Sequence, residues 1–73
     1  KNTKKAAKLY EKAAKQGQLE AKTNLGLMYA MGNGVKRNER KAYQLWSSAA
    51  KKGNKTSQRN LKYLCSQNPS ICK

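Results

Sequence analysis

Two strings decide the fold: LGLMYAMGNGV, residues 25–35, and KAYQLWSSAAKKG, residues 41–53. In the second, Ala42, Leu45, Trp46, Ala49 and Ala50 recur at three- and four-residue spacing, so they share one side of a helix that Gly53 can close. In the first, Leu25, Met28 and Tyr29 share a face with Ala21 until Gly32-Asn33-Gly34 breaks the pattern. Working outward, KAAKLYEKAAKQG at residues 5–17 anticipates residues 41–53 at a distance of roughly 36 positions. Leu9 matches Leu45, Tyr10 matches Trp46, Ala13-Ala14 match Ala49-Ala50, and Gly17 matches Gly53; Asn24-Leu25 return as Asn60-Leu61. A repeat of this length marks stacked helical hairpins.

The spacing predicts helices from Lys4 to Gln16, Leu19 to Met31, Glu39 to Lys52 and Thr56 to Ser66. Ala6, Ala7, Leu9, Tyr10, Ala13 and Ala14 form the inward side of the first; Leu61, Leu64, Cys65 and part of Tyr63 form that of the fourth. Asn38 is the expected N-cap of the third helix, with Glu39 in its first turn complementing the helix dipole. Val35 should tuck back between helices, and Pro69 stops the fourth. The fold class is all-α, an α-α superhelix of about four antiparallel helices.

A domain of 73 residues buries roughly 60% of its unfolded surface, so its stability is marginal. The formal charge of +14, from 17 Lys and Arg against three Glu, adds self-repulsion and favours acidic partners. No apolar run is long enough to span a membrane. The chain opens on Lys1 with no signal peptide, which fits a processed exported chain or a piece of a longer array. Cys65 and Cys72, an even count in a small domain, fit a disulfide in an oxidising compartment or two free thiols in a reducing one; a metal site lacks further ligands.

Together, Leu25, Gly26, Tyr29, Gly32, Gly34, Val35, Ala42, Trp46, Ala49, Ala50 and Gly53 resemble the Sel-1-like repeat, a relative of the tetratricopeptide repeat. The resemblance implies one domain over 1–73, with a partial repeat at 1–17, a full repeat at 18–53, and a capping helix and tail at 54–73. Asn38 replaces the family's usual Asp, which keeps the cap and drops a charge. Lys62 replaces Gly26 in the last copy, as expected of a helix with no follower, and Ile71 takes the place of Val35. Cys65 falls at the Tyr29 position and Cys72 at the Lys36 position, which a folded-back loop should bring together as a disulfide. Closing so short a loop is worth about 2.5 kcal/mol in the chain-entropy model. Cys-bearing relatives in bacteria are mostly exported, so the resemblance implies a periplasmic or secreted protein.

With Leu25 and Tyr29 inward, Glu20, Thr23, Leu27, Ala30 and Met31 fall on the opposite face of the second helix, and Thr56, Arg59, Tyr63 and Gln67 on that of the fourth. In stacks of the resembled kind these helices line the concave side. Thr23, Leu27, Met31, Arg59 and Tyr63 are therefore the candidate contacts for a partner protein with an acidic surface. The alternative is electrostatic binding of nucleic acid or another polyanion, which would need Lys1, Lys4, Lys8 and the other cations gathered beside exposed aromatics. Catalysis is disfavoured: there is no His or Asp, the three glutamates read as ordinary exposed charges, and Ser47 or Ser48 with Lys51 lacks an oxyanion hole. No cofactor or metal is expected. The family implies a non-catalytic interaction module, either an adaptor or an immunity protein that neutralises a secreted effector.

Overall fold

The computed structural model describes residues 3–72 as four α-helices of equal length and one 3₁₀ turn. They are α1 (Thr3–Lys15), α2 (Leu19–Met31), α3 (Glu39–Lys51) and α4 (Lys55–Gln67), closed by η1 (Pro69–Cys72). Helix α3 begins 36 residues after α1 (39 against 3), and α4 begins 36 after α2 (55 against 19). The textual repeat is thus a structural one, and each predicted helix end lies within one residue of the observed end. Lys1, named above among the cations that polyanion binding would gather, lies outside the described residues.

The repeat extends to the turns. Gly17 N donates to Ala14 O at 2.9 Å and Gln18 N to Ala13 O at 3.2 Å; one copy later Gly53 N donates to Ala50 O at 3.0 Å and Asn54 N to Ala49 O at 3.1 Å. These bonds satisfy carbonyls that a helix end leaves without intrahelical partners. Asn38 caps α3 as expected, its side chain accepting from Lys41 N at 3.1 Å. Asn54 caps α4 in the same way, accepting from Ser57 N at 2.7 Å. The α2–α3 loop returns over α1: at Gly34, with φ of 80°, an added Cβ would lie 2.6 Å from the backbone carbon of Thr3. Only glycine fits there.

Apolar side chains gather in two adjoining clusters. The first joins Ala14, Ala21 and Leu25, with Tyr10 and Leu45 packed against it; the second joins Ala42, Trp46 and Leu64, with Leu61 and Ile71. Tyr29 touches both. Gly26 of α2 lies directly beneath the Trp46 ring of α3: an added Cβ would lie 2.8 Å from Trp46 Cδ1 and 2.9 Å from Cε2. The absent side chain lets the indole lie on the α2 backbone, where Trp46 Nε1 donates to Thr23 O at 3.0 Å. Cys65 and Cys72 form a disulfide that fastens η1 to α4, and Ile71 packs on the second cluster.

Two expectations about the inward-facing stripes fail. Leu9 is 65% exposed although its counterpart Leu45 packs on the first cluster, because Leu45 has α2 to rest on and α1 has no preceding helix among the described residues. Tyr63, expected to be partly in the fourth helix's inward stripe, is 68% exposed.

Candidate functional site

Helices α2 and α4, one repeat apart, stand side by side and leave a groove of about 540 Å³ between them. Its base is Trp46 and Leu64, both buried, and its walls are Leu27, Ala30 and Met31 from α2 and Asn60, Tyr63 and Gln67 from α4. Leu27, Met31 and Tyr63 are large and apolar and remain open to solvent, at 38%, 69% and 68% exposure. A second hollow, along the α1 side of α2, is lined by Tyr10, Asn24 and again Leu27 and Met31, so those two side chains form a ridge between two depressions.

One end of the groove is polar. Arg37 Nη2 donates to Glu39 Oε2 at 3.1 Å, and Asn68 Nδ2 donates to Glu39 Oε1 at 3.1 Å. The amide of Asn68 and, after it, the guanidinium of Arg37 hold the Glu39 carboxyl below its ordinary pKa. The bond from Asn68 also ties the start of η1 to the start of α3. Within the groove wall the Asn60 Nδ2 atom is covered and has no hydrogen-bond partner among the described residues.

Leu27, Met31 and Tyr63 are therefore brought together as the sequence reading expects. Arg59 is exposed but lies on the outer flank of α4, beside Lys55 and Lys62, and does not line the groove. Thr23 is a correction. It is 4% exposed, its Oγ1 lies 2.7 Å from Ser57 Oγ and within donating reach of Leu19 O at 2.9 Å and Asn54 Oδ1 at 3.2 Å. Thr23 thus belongs to a buried polar joint between the two repeats and is not available to a partner. Ser57, fully buried, and Asn54 complete the joint; the Asn-x-x-Ser spacing after Gly53 is the sequence signal that identifies this cap.

The glutamates are likewise more engaged than expected. Tyr29 Oη donates to Glu11 Oε2 at 3.3 Å, linking α2 to α1. Burial, together with the charge and hydrogen bond of Glu11, raises the Tyr29 pKa above its ordinary value. Lys41 Nζ sits 5.8 Å from the centre of the same ring, within cation–π range. With Glu39 also bonded, only Glu20 of the three glutamates is an exposed carboxylate with no hydrogen-bond or ion-pair partner among the described residues.

A sequence model of the Sel1 repeat matches residues 1–18 and 19–54. The crystal structure of a Sel1 repeat protein from Oxalobacter formigenes is similar over 90% of this chain, with 33% identity and a TM-score of 0.85. This chain spans 27% of the length of that one. No curated protein matches the sequence. No described helix is long and apolar enough to cross a membrane. Sel1 repeats are generally protein-interaction modules, a fold without catalytic chemistry of its own, and this chain belongs to the Sel1 repeat family.

Proposed function

We propose that this chain, as one domain, holds a segment of a partner protein in the groove between α2 and α4 and performs no reaction. One observation carries the reading: Leu27, Met31 and Tyr63 converge, exposed, over the base formed by Trp46 and Leu64. Soluble surfaces seldom gather large apolar side chains without use, and a tyrosine beside aliphatic side chains over a desolvated base is a typical composition of a binding hot spot. The net charge of +14 favours a partner with an acidic surface, chiefly by speeding encounter.

The Cys65–Cys72 disulfide supports an exported location, in the periplasm or outside a bacterial cell, since such bonds persist in oxidising compartments. An adaptor of the envelope or of host contact and an immunity protein bound to a secreted effector would use the same groove.

The test is affinity capture from the source cells with the unaltered chain, Leu27→Ala and Tyr63→Ala. A specific partner should be retained at moderate salt, and Tyr63→Ala should weaken its binding by about 2 kcal/mol. Capture that ignores both substitutions and collapses steeply with salt would instead support the polyanion alternative and discard the groove.

A further inference from the structure

We infer that the outer face of α4 is a second docking surface, whose occupant is an acidic amphipathic helix of a partner protein. This does not depend on the groove reading. The face is a hollow of about 820 Å³ lined by Lys55, Gln58, Arg59, Leu61, Lys62 and Cys65. Their counterparts one repeat earlier are Leu19, Lys22, Thr23, Leu25, Gly26 and Tyr29. In that earlier copy α3 covers the face: Lys22 Nζ donates to Ser48 Oγ at 2.8 Å, Trp46 Nε1 reaches Thr23 O, Trp46 lies on Gly26, Leu45 packs with Leu25, and Lys41 stands over Tyr29. On α4 the same positions have no α-helix over them among the described residues, and only Cys65 meets another element, η1, through its disulfide to Cys72.

The chemistry of the open copy differs in one respect. Lys55, Arg59 and Lys62 stand where α2 has Leu19, Thr23 and Gly26, and none of the three makes an ion pair among the described residues. Half-buried Leu61 and the disulfide sulfur of Cys65 lie among them. A helix of the α3 type cannot settle there, because a tryptophan like Trp46 needs a glycine beneath it and finds Lys62. Nor does α1 of a second copy fit, since it would bring Lys4, Lys8, Lys12 and Lys15 against three more cations. What fits has the length and straightness of a helix, an apolar strip for Leu61, and carboxylates for the three cations. Nucleic acid is the poorer match: the lining of this face includes no aromatic ring for base stacking, and Tyr63 faces the groove.

The experiment titrates the full, isotope-labelled chain with a peptide of the α3 sequence, residues 39–51, bearing Arg40→Glu, Lys41→Glu, Trp46→Glu and Lys51→Glu. The Trp46→Glu change sets a carboxylate at the spot opposite Arg59 and Lys62. Amide shifts should move along Lys55 to Lys62, the double variant Arg59→Glu, Lys62→Glu should weaken binding about tenfold or more, and Tyr63→Ala should leave it unchanged. Both substituted residues are exposed, and an unaltered circular dichroism spectrum checks that the variant is folded. Equal binding by a scrambled peptide of the same composition, by a single-stranded oligonucleotide or by the unsubstituted α3 peptide would overturn the proposal. So would shifts confined to the Leu27–Met31–Tyr63 groove, or a dimer of the chain occupying the face. The groove reading fails on a different result, partner capture that survives Tyr63→Ala.

Discussion

Replacing Gly26 by alanine sets two effects of opposite sign against each other. Alanine in a helix interior gains about 1 kcal/mol over glycine from propensity alone. At this position, however, the new Cβ would meet the Trp46 ring, 2.8 Å from Cδ1 and 2.9 Å from Cε2, well inside van der Waals contact. Overpacking a tight core costs about 1–3 kcal/mol. The ring also cannot retreat and still hold the Nε1 bond to Thr23 O, a further loss of about 1 kcal/mol. The net is a destabilisation of about 1–3 kcal/mol, which in a domain this small lowers Tm on the order of 10 °C. Thermal and urea unfolding of Gly26→Ala measure it directly. The double variant Gly26→Ala, Trp46→Leu should lose less than the sum of the single changes, because leucine vacates the space that alanine enters. A Tm that rises for Gly26→Ala, or strict additivity in that cycle, would refute the close-packed reading of the α2–α3 contact.

Three other outcomes are expected. Thr23→Val should cost about 1–3 kcal/mol in urea unfolding, since it leaves the Ser57 hydroxyl buried without its 2.7 Å partner. Glu39 titrates below its ordinary range when folded, so the stability it contributes is full at neutral pH and is lost as pH falls through that lowered value; Glu39→Gln should flatten this acid limb in a pH series of Tm. Cys72→Ser should destabilise by about 2.5 kcal/mol and, read by hydrogen exchange, should loosen η1 and the end of α4 while leaving α2 protected.

Much of the fold is legible in the sequence because its determinants are local and occur twice. Gly17 and Gly53 end α1 and α3 in the same way, Asn38 caps where expected, and the 36-residue offset between copies recurs in the helices. What escapes local reading is set by position in the stack. Thr23 and Arg59 occupy the same place on their helices, yet Thr23 is covered by α4 and Arg59 is exposed because no further α-helix packs on α4 among the described residues. Leu9 and Leu45 differ for the mirrored reason at the other end. A helical wheel divides a helix into two sides, whereas α2 is packed by α1, α3 and α4 and leaves only a narrow stripe through Glu20, Leu27 and Met31. Of the five candidate contacts, the three on or beside that stripe's groove converge, and the two at the shared wheel position do not.

Trp46 is the only tryptophan of the chain, and it lies 3% exposed beneath the groove with its Nε1 bonded to Thr23 O. The molecule therefore carries an intrinsic optical reporter. Its fluorescence should be blue-shifted in the native state, move to the red on unfolding, and change in intensity when a side chain settles above the ring. A single emission channel can then follow both thermal melting and occupancy of the groove, without a label that would disturb either.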